Sequence, residues 1–453
     1  MSLKNLLRRI LPVSFNSFHA RVDGLDDEVK ELAETNASLV DSLATMEQYI
    51  RTLMAIETNR NGSAPPPYYM VCEAGYPNYG DELIAREWLR YLAKIHLETP
   101  VFLDCTRPGP AAAILSNEHP QLRVVDTLSR LTFENRYAVI EGQSGPVKDI
   151  AAYVNQALSD EGVAARYAAG IGIIKRTQSV HFVGGGYMNA RWTSNLARLE
   201  LGKRMKQQGK VSVATGTGLM PLNDEAIQFV QGQLPSFDRF TVRDEDTLRA
   251  LTDENNHPES GAVELAPDDC FVNGLKHCYA KDQDLPRIMV CVQSDLVSDQ
   301  AKLISHVIET IQAWKADDSE VVGVVECNPY IDYPIVEALR QEGCEVRFFP
   351  LAYLLKEGFP AVQGQQWLTT RYHPQILAAA RGCKGSYISV DKQYYDSKHQ
   401  AVLRMGSHWT RSEIGGGVVA PGTGFTDEGL PQKYEKQIRD SVAPLYGFAQ
   451  QAA

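Results

Sequence analysis

Four short segments place glycines or charged side chains directly after apolar runs. The first, GYPNYGDEL at residues 75–83, follows the run YYMVCEA and offers Asn78, Asp81 and Glu82. Acids in the first turn of a helix are typical of an N-terminal cap, which accounts for one of the two. A cap needs neither the adjacent Gly80 nor the proline, and no lysine is present to bind a phosphate. The segment is therefore a candidate ligand-binding turn as well as a helix start.

The second segment, HFVGGGYMN, ends an apolar run with Gly184, Gly185 and Gly186. Glycines let a ligand approach the backbone closely and expose amide donors. The spacing is not that of a dinucleotide-binding fingerprint, and no P-loop lysine follows. On its own this segment indicates a ligand loop without identifying the ligand.

The remaining two segments supply positive charge. FTVRDEDTL carries Arg243 beside two acids, and TTRYHPQILAAARG carries Arg371, Tyr372 and His373 just before an alanine-rich helix. An arginine at a helix N-terminus suits an oxyanion, and a nearby histidine can donate a proton. The alternatives are a surface salt bridge for Arg243 and a core position for His373. Lys398, in SVDKQYYDSKHQ, is a further cation for the same site.

Alternating strands and helices position these segments. Apolar runs separated by helical stretches predict parallel strands that are covered on both faces. The first series runs through YYMVCEA, VFLDC, RVVDTL, YAVIEG, SVHFVGGG, KVSVATG and FDRFTVRD, with helices at 81–97, 194–209 and 244–251. The second runs through RIMVCVQ, EVVGVVE, EVRFFP and SYISV, with helices at 299–315, 332–343 and 374–382. The pattern predicts an α/β fold of two Rossmann-like domains, at 68–280 and 281–453 (the second ending in a helix), with ligands at the carboxyl ends of the strands in the cleft between them.

A heptad pattern precedes the α/β region. From residue 22 onward apolar residues recur in alternating steps of three and four, with Asn36 at a core position. This pattern is typical of a coiled coil, in which a buried asparagine fixes the register. We expect a helical segment at 1–58 whose coiled coil (22–56) mediates self-association, followed by a linker at 59–67. A dimer is the first expectation and a trimer the second, and a helix packed on its own globular domain is the other interpretation.

Composition excludes several classes of function. Charged residues make up 22% of the 453 residues and the formal net charge is −11, so a nucleic-acid partner is not expected. The eight cysteines form no CxxC pair and lie mostly in apolar runs, which predicts reduced core residues, a reducing compartment and no metal site. No apolar run is long enough to span a membrane. The basic start, MSLKNLLRRILP, is either a frayed amphipathic tail, the favoured interpretation, or a helix that contacts a membrane surface or a partner.

The order of the four segments resembles that of the polysaccharide pyruvyl transferase family. G-x-x-N-x-G-D-E, G-G-G, V-R-[DE] and R-x-H with a downstream lysine follow one another over residues 68–410. APDDCF at 266–271 resembles the family's segment after the V-R-[DE] helix. One departure is Asn189, in GGGYMNARW, which stands where many members carry an acid.

The resemblance implies a two-domain fold similar to GT-B glycosyltransferases. It also implies transfer of the pyruvyl unit of phosphoenolpyruvate onto a sugar as a cyclic ketal, with release of phosphate and no cofactor. The partners would be phosphoenolpyruvate and a glycan acceptor, and the enzyme would be cytoplasmic, working near the membrane on precursors of cell-surface polysaccharide. We accordingly expect catalysis by His373 and Asp81, phosphoenolpyruvate binding by Arg243, Arg371, Tyr372 and Lys398, and acceptor or loop contacts by Asn78, Gly80, Glu82, Gly184, Gly185 and Gly186. The alternatives are a nucleotide-sugar glycosyltransferase on the same architecture and a non-catalytic glycan-binding coiled-coil protein.

Overall fold

The computed structural model describes residue 46 and residues 65–133, 145–252, 263–281 and 284–446. The predicted coiled coil, the linker up to residue 64 and the predicted strand YAVIEG lie outside this part of the chain, apart from Met46. No helix within the described ranges is long and apolar enough to cross a membrane.

The first of two parallel sheets contains seven strands in the order β3-β2-β1-β4-β5-β6-β7. The strands are β1 (Tyr68–Val71), β2 (Val101–Asp104), β3 (Leu122–Val125), β4 (Ser179–Phe182), β5 (Val211–Thr217), β6 (Arg239–Val242) and β7 (Val263–Leu265). The helices that accompany them are α1 (Tyr79–Ile95), α2 (Pro108–Leu115), α3 (Thr127–Phe133), α4 (Val147–Ser159), α5 (Ala168–Arg176), α6 (Thr193–Leu196), α7 (Glu200–Gln207), α8 (Asp224–Gln233) and α9 (Glu245–Leu251). Short 3-10 helices occupy Glu161–Tyr167, Ala190–Trp192, Ala197–Leu199, Leu234–Ser236 and Asp269–Asn273.

The second sheet contains six strands in the order β10-β9-β8-β11-β12-β13. They are β8 (Ile288–Cys291), β9 (Val322–Val325), β10 (Val346–Phe349), β11 (Gln366–Thr369), β12 (Lys384–Tyr387) and β13 (Thr410–Arg411). The helices are α10 (Gln300–Trp314), α11 (Pro334–Gln341), α12 (Leu351–Glu357), α13 (Tyr372–Ala380), α14 (Lys392–Arg404), α15 (Leu430–Ser441) and α16 (Ala443–Tyr446). The prediction of two parallel α/β units is therefore confirmed.

Both faces of each sheet are buried, which is why the strands are continuously apolar. In β1, Met70 joins one apolar cluster and Val71 joins another on the opposite face, because successive side chains alternate. The cluster around Met70 also contains Trp88 of α1 and Trp367 of the second sheet. One apolar core therefore extends across the junction between the two domains.

The last two helices of the described chain return to the first sheet. Tyr446 of α16 packs on Tyr68 with ring centroids 4.9 Å apart, and its hydroxyl shares a hydrogen bond of 2.9 Å with Nδ1 of His181. In α15, Nε of Arg439 donates to the carbonyl oxygen of Val272 at 3.0 Å. These two helices, which follow the second domain in the chain, thus pack on the first domain.

Helix positions agree with the predictions to within a few residues, with one exception. The single helix predicted at 194–209 is three consecutive pieces: α6, the 3-10 turn Ala197–Leu199 and α7. The tightened turn carries Arg198, whose side chain is fully buried. All eight cysteines are buried and none forms a disulfide.

Candidate active site

Loops at the carboxyl ends of both sheets come together around the start of α1. The backbone N–H of Tyr79 donates to the carbonyl oxygen of Cys327, in the loop after β9, at 2.8 Å. On the other side, Arg191 forms an ion pair of 2.7 Å with Asp391, at the start of α14. These contacts bring the four segments singled out in the sequence to one place.

Arg243, Asp268 and His373 form a buried cluster of ionisable side chains. Nη1 of Arg243 donates to Oδ2 of Asp268 at 2.7 Å, and Nε2 of His373 lies 3.5 Å from Oδ1 of the same carboxylate. The pKa of Asp268 lies well below its ordinary value, because His373 and Arg243 together outweigh burial, which acts to raise it. Asp268 is therefore an anion at neutral pH and orients both side chains.

Tyr372 lies against Arg243 on the second-domain side. The guanidinium carbon of Arg243 is 4.5 Å from the centroid of the Tyr372 ring. Burial acts to lower the pKa of Arg243, but Tyr372 and Asp268 outweigh it and raise the pKa above its ordinary value. The side chain therefore stays charged. The Tyr372 hydroxyl and Nε of Arg243 are buried and have no hydrogen-bond partner within the described residues, which leaves polar capacity for a ligand.

Lys398 is the least neutralised cation of the cluster. It is buried, its Nζ lies 3.3 Å from the ring centroid of Tyr394 and 5.2 Å from that of Tyr395, and among the described residues it forms no ion pair. Its pKa is lowered well below the ordinary value, first by burial and then by the charge of Arg243. An uncompensated lysine of this kind is typical of a site completed by an anion.

The glycine loop after β4 lies directly against both cations. A Cβ on Gly186 would stand 3.0 Å from Nζ of Lys398 and 3.1 Å from Nη2 of Arg243. The side-chain amide of Asn189 donates to the carbonyl oxygen of Gly186 at 2.8 Å. Upstream, the N–H of Gly184 donates to the fully buried Asp269 at 2.8 Å, which anchors the loop. Gly185, at a positive φ of 149°, would place a Cβ 3.4 Å from Oδ1 of Asp81.

The GYPNYGDEL turn contributes the acidic side of the cluster. Asn78 caps α1, and its Nδ2 donates to Oδ2 of Asp81 at 2.8 Å. Burial raises the pKa of Asp81, although His373, Arg243 and Lys398 act to lower it. Gly80 admits the imidazole of His373, because a Cβ at this position would overlap the ring.

Two predicted site residues are turned to other partners. Oε1 of Glu82 accepts a hydrogen bond of 2.7 Å from the N–H of Gly75, and burial raises the pKa of Glu82 to about 8. Glu82 therefore stabilises the GYPNYGDEL turn by accepting a hydrogen bond from its backbone. Arg371 donates through Nε to both carboxylate oxygens of the fully buried Asp332, at 3.0 and 3.2 Å, and its Nη2 also bonds Oδ1. The positive charge of Arg371 is thus already neutralised by Asp332.

Sequence reasoning missed the partners of these residues. Asp268 lies in the APDDCF segment, which carried a family resemblance but no assigned role. Tyr394 and Tyr395 precede Lys398 by four and three residues, a spacing that places all three on one face of a helix, so this signal was present in the sequence. The pairing of Arg371 with Asp332 leaves no such signal, because the two are 39 positions apart.

Several solved structures resemble the chain at low sequence identity. The putative UDP-N-acetylglucosamine 2-epimerase of Listeria monocytogenes is 14% identical, with a TM-score of 0.45, and the match covers 86% of this chain and 92% of that one. For the UDP-GlcNAc 2-epimerase of Neisseria meningitidis the identity is 12%, the TM-score 0.44 and the coverage 84% and 96%. For a ugt transferase of Siraitia grosvenorii the values are 10%, 0.42, 84% and 91%. Comparison with curated proteins gives no match.

Fold and site together define a two-domain α/β protein with buried cationic side chains at the carboxyl ends of its two parallel sheets. A family model, Polysaccharide pyruvyl transferase, matches residues 78–392, which include all four segments. The chain belongs to the polysaccharide pyruvyl transferase family and is therefore a transferase.

Proposed function

We propose that the protein transfers the pyruvyl group of phosphoenolpyruvate to a sugar of a cell-surface polysaccharide or its precursor. The product is a cyclic ketal and phosphate is released, with phosphoenolpyruvate as donor substrate and no cofactor. Family membership supports the reaction class. We also infer a GT-B-like arrangement of the domains, because both sheets direct their carboxyl ends towards one cleft.

One observation carries the proposal: Lys398 and Arg243 converge on the backbone of Gly186, and Lys398 forms no ion pair among the described residues. Phosphoenolpyruvate carries a carboxylate and a phosphate, so its binding needs at least two cations in a partly dry cleft. The unpartnered Tyr372 hydroxyl adds a hydrogen-bond donor beside them. A bound dianion would act as counter-ion to the buried Lys398 ammonium and so contribute to affinity.

The proposed roles follow from position. His373, held by Asp268, delivers a proton to C3 of the enol or binds the phosphate. The centre at C2 then becomes electrophilic, and Asp81, which lies beside the glycine loop, accepts the proton of the attacking sugar hydroxyl or orients the sugar. Asn78 holds Asp81 in place. Self-association through the N-terminal segment and a peripheral membrane contact remain predictions.

The test combines a donor assay with one variant. Purified full-length protein is given phosphoenolpyruvate, or nucleotide sugars in parallel, with a panel of glycan acceptors. Phosphate release together with an acceptor mass gain equal to pyruvic acid less water supports the proposal. Nucleotide release would indicate the glycosyltransferase alternative, and silence with every donor would contradict catalysis.

Lys398→Met is the variant of choice, because it leaves no buried acid without its partner. Its kcat/KM for phosphoenolpyruvate should fall by about 100-fold or more. The control is Lys384→Met, an exposed lysine at the opposite, amino-terminal end of β12. Equal losses in both variants, or none in either, would contradict the site.

A further inference from the structure

Glu73 is an acid of the cleft that the proposed chemistry does not yet use. It lies two residues beyond the end of β1, at the same sheet edge as the charged cluster. Its neighbours Cys72 and Ala74 are buried, whereas 15% of the Glu73 side chain is exposed. The carboxylate is thus enclosed but accessible from the carboxyl edge of the sheet.

A fully buried arginine holds Glu73 in place. Nη1 of Arg198 donates to Oε2 of Glu73 at 3.1 Å. Nε and Nη2 of Arg198 are buried and have no hydrogen-bond partner among the described residues. Phe133 and Tyr187 cover the guanidinium, at 5.5 and 5.7 Å from their ring centroids. A buried arginine so poorly satisfied costs stability, which indicates that its position serves the carboxylate rather than the core.

The same contacts connect Glu73 to Asp81. The Tyr187 ring that covers Arg198 lies 2.9 Å from a Cβ built on Gly185, and Oδ1 of Asp81 lies 3.4 Å from that same point. Burial raises the pKa of Glu73; Arg198 opposes this, and Asp81 and Asp104 add to it. Asp104 itself is occupied, since it accepts hydrogen bonds from Tyr69 and Ser129. Glu73 and Asp81 therefore lie near each other beyond the end of β1, and the charge of Asp81 acts on Glu73.

Ketal formation needs a second proton acceptor. The donor carbon forms two new C–O bonds, and each acceptor hydroxyl must lose its proton in a different step. We propose that Glu73 is the general base for the second hydroxyl, the one that closes the ketal ring, while Asp81 serves the first. This inference rests on the proposed function and deepens it.

In the first step His373 gives a proton to C3 and the first acceptor oxygen bonds to C2. The proton of this first hydroxyl passes to Asp81. The bond from C2 to the phosphate oxygen then breaks, the second acceptor oxygen bonds to C2, and its proton passes to Glu73. The leaving phosphate takes up one proton, and the other proton restores His373. No oxidant, reductant or further reactant is required.

Glu73→Gln separates the two bond-forming steps, because glutamine keeps an acceptor for Arg198 but cannot take a proton. The full-length variant and wild type are incubated in D2O with phosphoenolpyruvate and an acceptor that wild type pyruvylates. Ketal is measured by mass spectrometry, and solvent deuterium at C3 of ketal, of pyruvate and of recovered phosphoenolpyruvate is measured by NMR. The matched control is Glu320→Gln, which removes a carboxylate paired with Arg287 at 2.6 Å at the amino-terminal edge of the second sheet.

We expect Glu73→Gln to form ketal about 100-fold more slowly or worse, while C3 deuteration continues within about threefold of wild type. Water would then add to C2 in place of the second hydroxyl, so that phosphoenolpyruvate is hydrolysed to phosphate and pyruvate instead of forming ketal. A wild-type ketal rate in Glu73→Gln, or an equal loss of deuteration and ketal, would overturn the assignment of Glu73 to ring closure. Absence of ketal from wild type with every acceptor would overturn the proposed function itself, which is a separate outcome.

Discussion

Lys398 is an unfavourably placed cation of the site. Its ammonium is buried beside Arg243, with two tyrosine rings and no carboxylate among the described residues within ion-pair distance. Enclosure without a counter-ion disfavours the charged form, which is why the pKa of Lys398 is lowered. On the proposed function, a bound dianion would supply the missing counter-ion and raise that pKa again. Lys398 would then link substrate binding to proton uptake.

Phosphoenolpyruvate affinity should consequently weaken as pH rises. Between the lowered pKa of free Lys398 and its higher pKa in the complex, binding takes up a proton. In that window the dissociation constant rises by up to about tenfold per pH unit. Titration calorimetry is done above about pH 7, where the phosphate of phosphoenolpyruvate is already dianionic. It measures the affinity directly, and repeating it in buffers with different heats of ionisation gives the proton uptake.

Lys398→Arg is the control for this linkage, because a guanidinium stays charged throughout the range. Its affinity should depend less steeply on pH, and its binding should take up fewer protons. A wild-type affinity that is independent of pH, or that strengthens as pH rises, would contradict the role given to Lys398.

Gly80 allows the acidic turn to approach His373 closely. A Cβ at this position would overlap the His373 ring, so Gly80→Ala forces the imidazole or α1 to move. We expect a loss of about 1–3 kcal/mol in the free energy of unfolding and a fall in kcat of at least about 100-fold from displaced chemistry. Chemical denaturation and steady-state kinetics measure the two effects.

The matched substitution is Gly232→Ala, inside α8, where a Cβ would meet nothing within 4 Å. Alanine is the better helix former by about 1 kcal/mol, so this variant should be as stable as wild type or more so, with unchanged kcat. Wild-type kcat in Gly80→Ala would show that the close approach to His373 is not needed.

At the scale of elements, the sequence predicts the strands and helices better than the side-chain contacts between the two domains. Runs such as VVGVV, buried on both faces, fix the parallel strands, because only a doubly covered sheet accepts them. The four polar segments could also be placed together, since parallel strands end at one edge. The partners of Arg371 and His373 could not, because Asp332 and Asp268 come from loops whose approach depends on the assembled domains. Glu82 could not be distinguished from its neighbour Asp81 either, because its hydrogen bond with the N–H of Gly75 depends on the conformation of the turn.

The Asn189 loop gives a physical reason for the one departure from the family pattern. Its amide nitrogen donates to the carbonyl oxygen of Gly186, and its Oδ1 accepts from the N–H groups of Arg191 and Trp192. An acid could keep the second role but not the first, because a carboxylate has no donor. Asparagine thus fixes Gly186 against the two cations in this chain.

Asn189→Asp should therefore loosen the loop. We expect a loss of about 1–3 kcal/mol in unfolding free energy and a lower kcat/KM, with partial recovery at acidic pH, where a protonated carboxyl group can donate. Asn223→Asp is the control, because Asn223 only caps α8 by accepting from Ala226 and aspartate caps equally well. Equal behaviour of the two variants across pH would contradict a donor role for Asn189.

At the scale of the whole molecule, the chain order and the domain order differ. The chain leaves the first sheet after β7, builds the second, and then returns through α15 and α16 to cover the first sheet. Because Tyr446 contacts side chains of β1, α1 and β4, the first domain is complete only when the C-terminal helices have docked. The cleft between the sheets is therefore stabilised by the last described residues as well as by α1.

Tyr446→Ala tests this dependence. The ring is buried against Tyr68 and Trp88, and its hydroxyl bonds the buried His181, so its removal should lower the free energy of unfolding by about 3 kcal/mol or more. Hydrogen exchange should speed up in β1 and β4, while β9 and β10, at the far edge of the second sheet, keep their protection. Tyr330→Ala, at a side chain 89% exposed, should change stability by no more than about 0.5 kcal/mol. Loss of protection confined to the second sheet would show that α16 does not complete the first domain, and a uniform loss would show that the two sheets unfold as a single unit through their shared core.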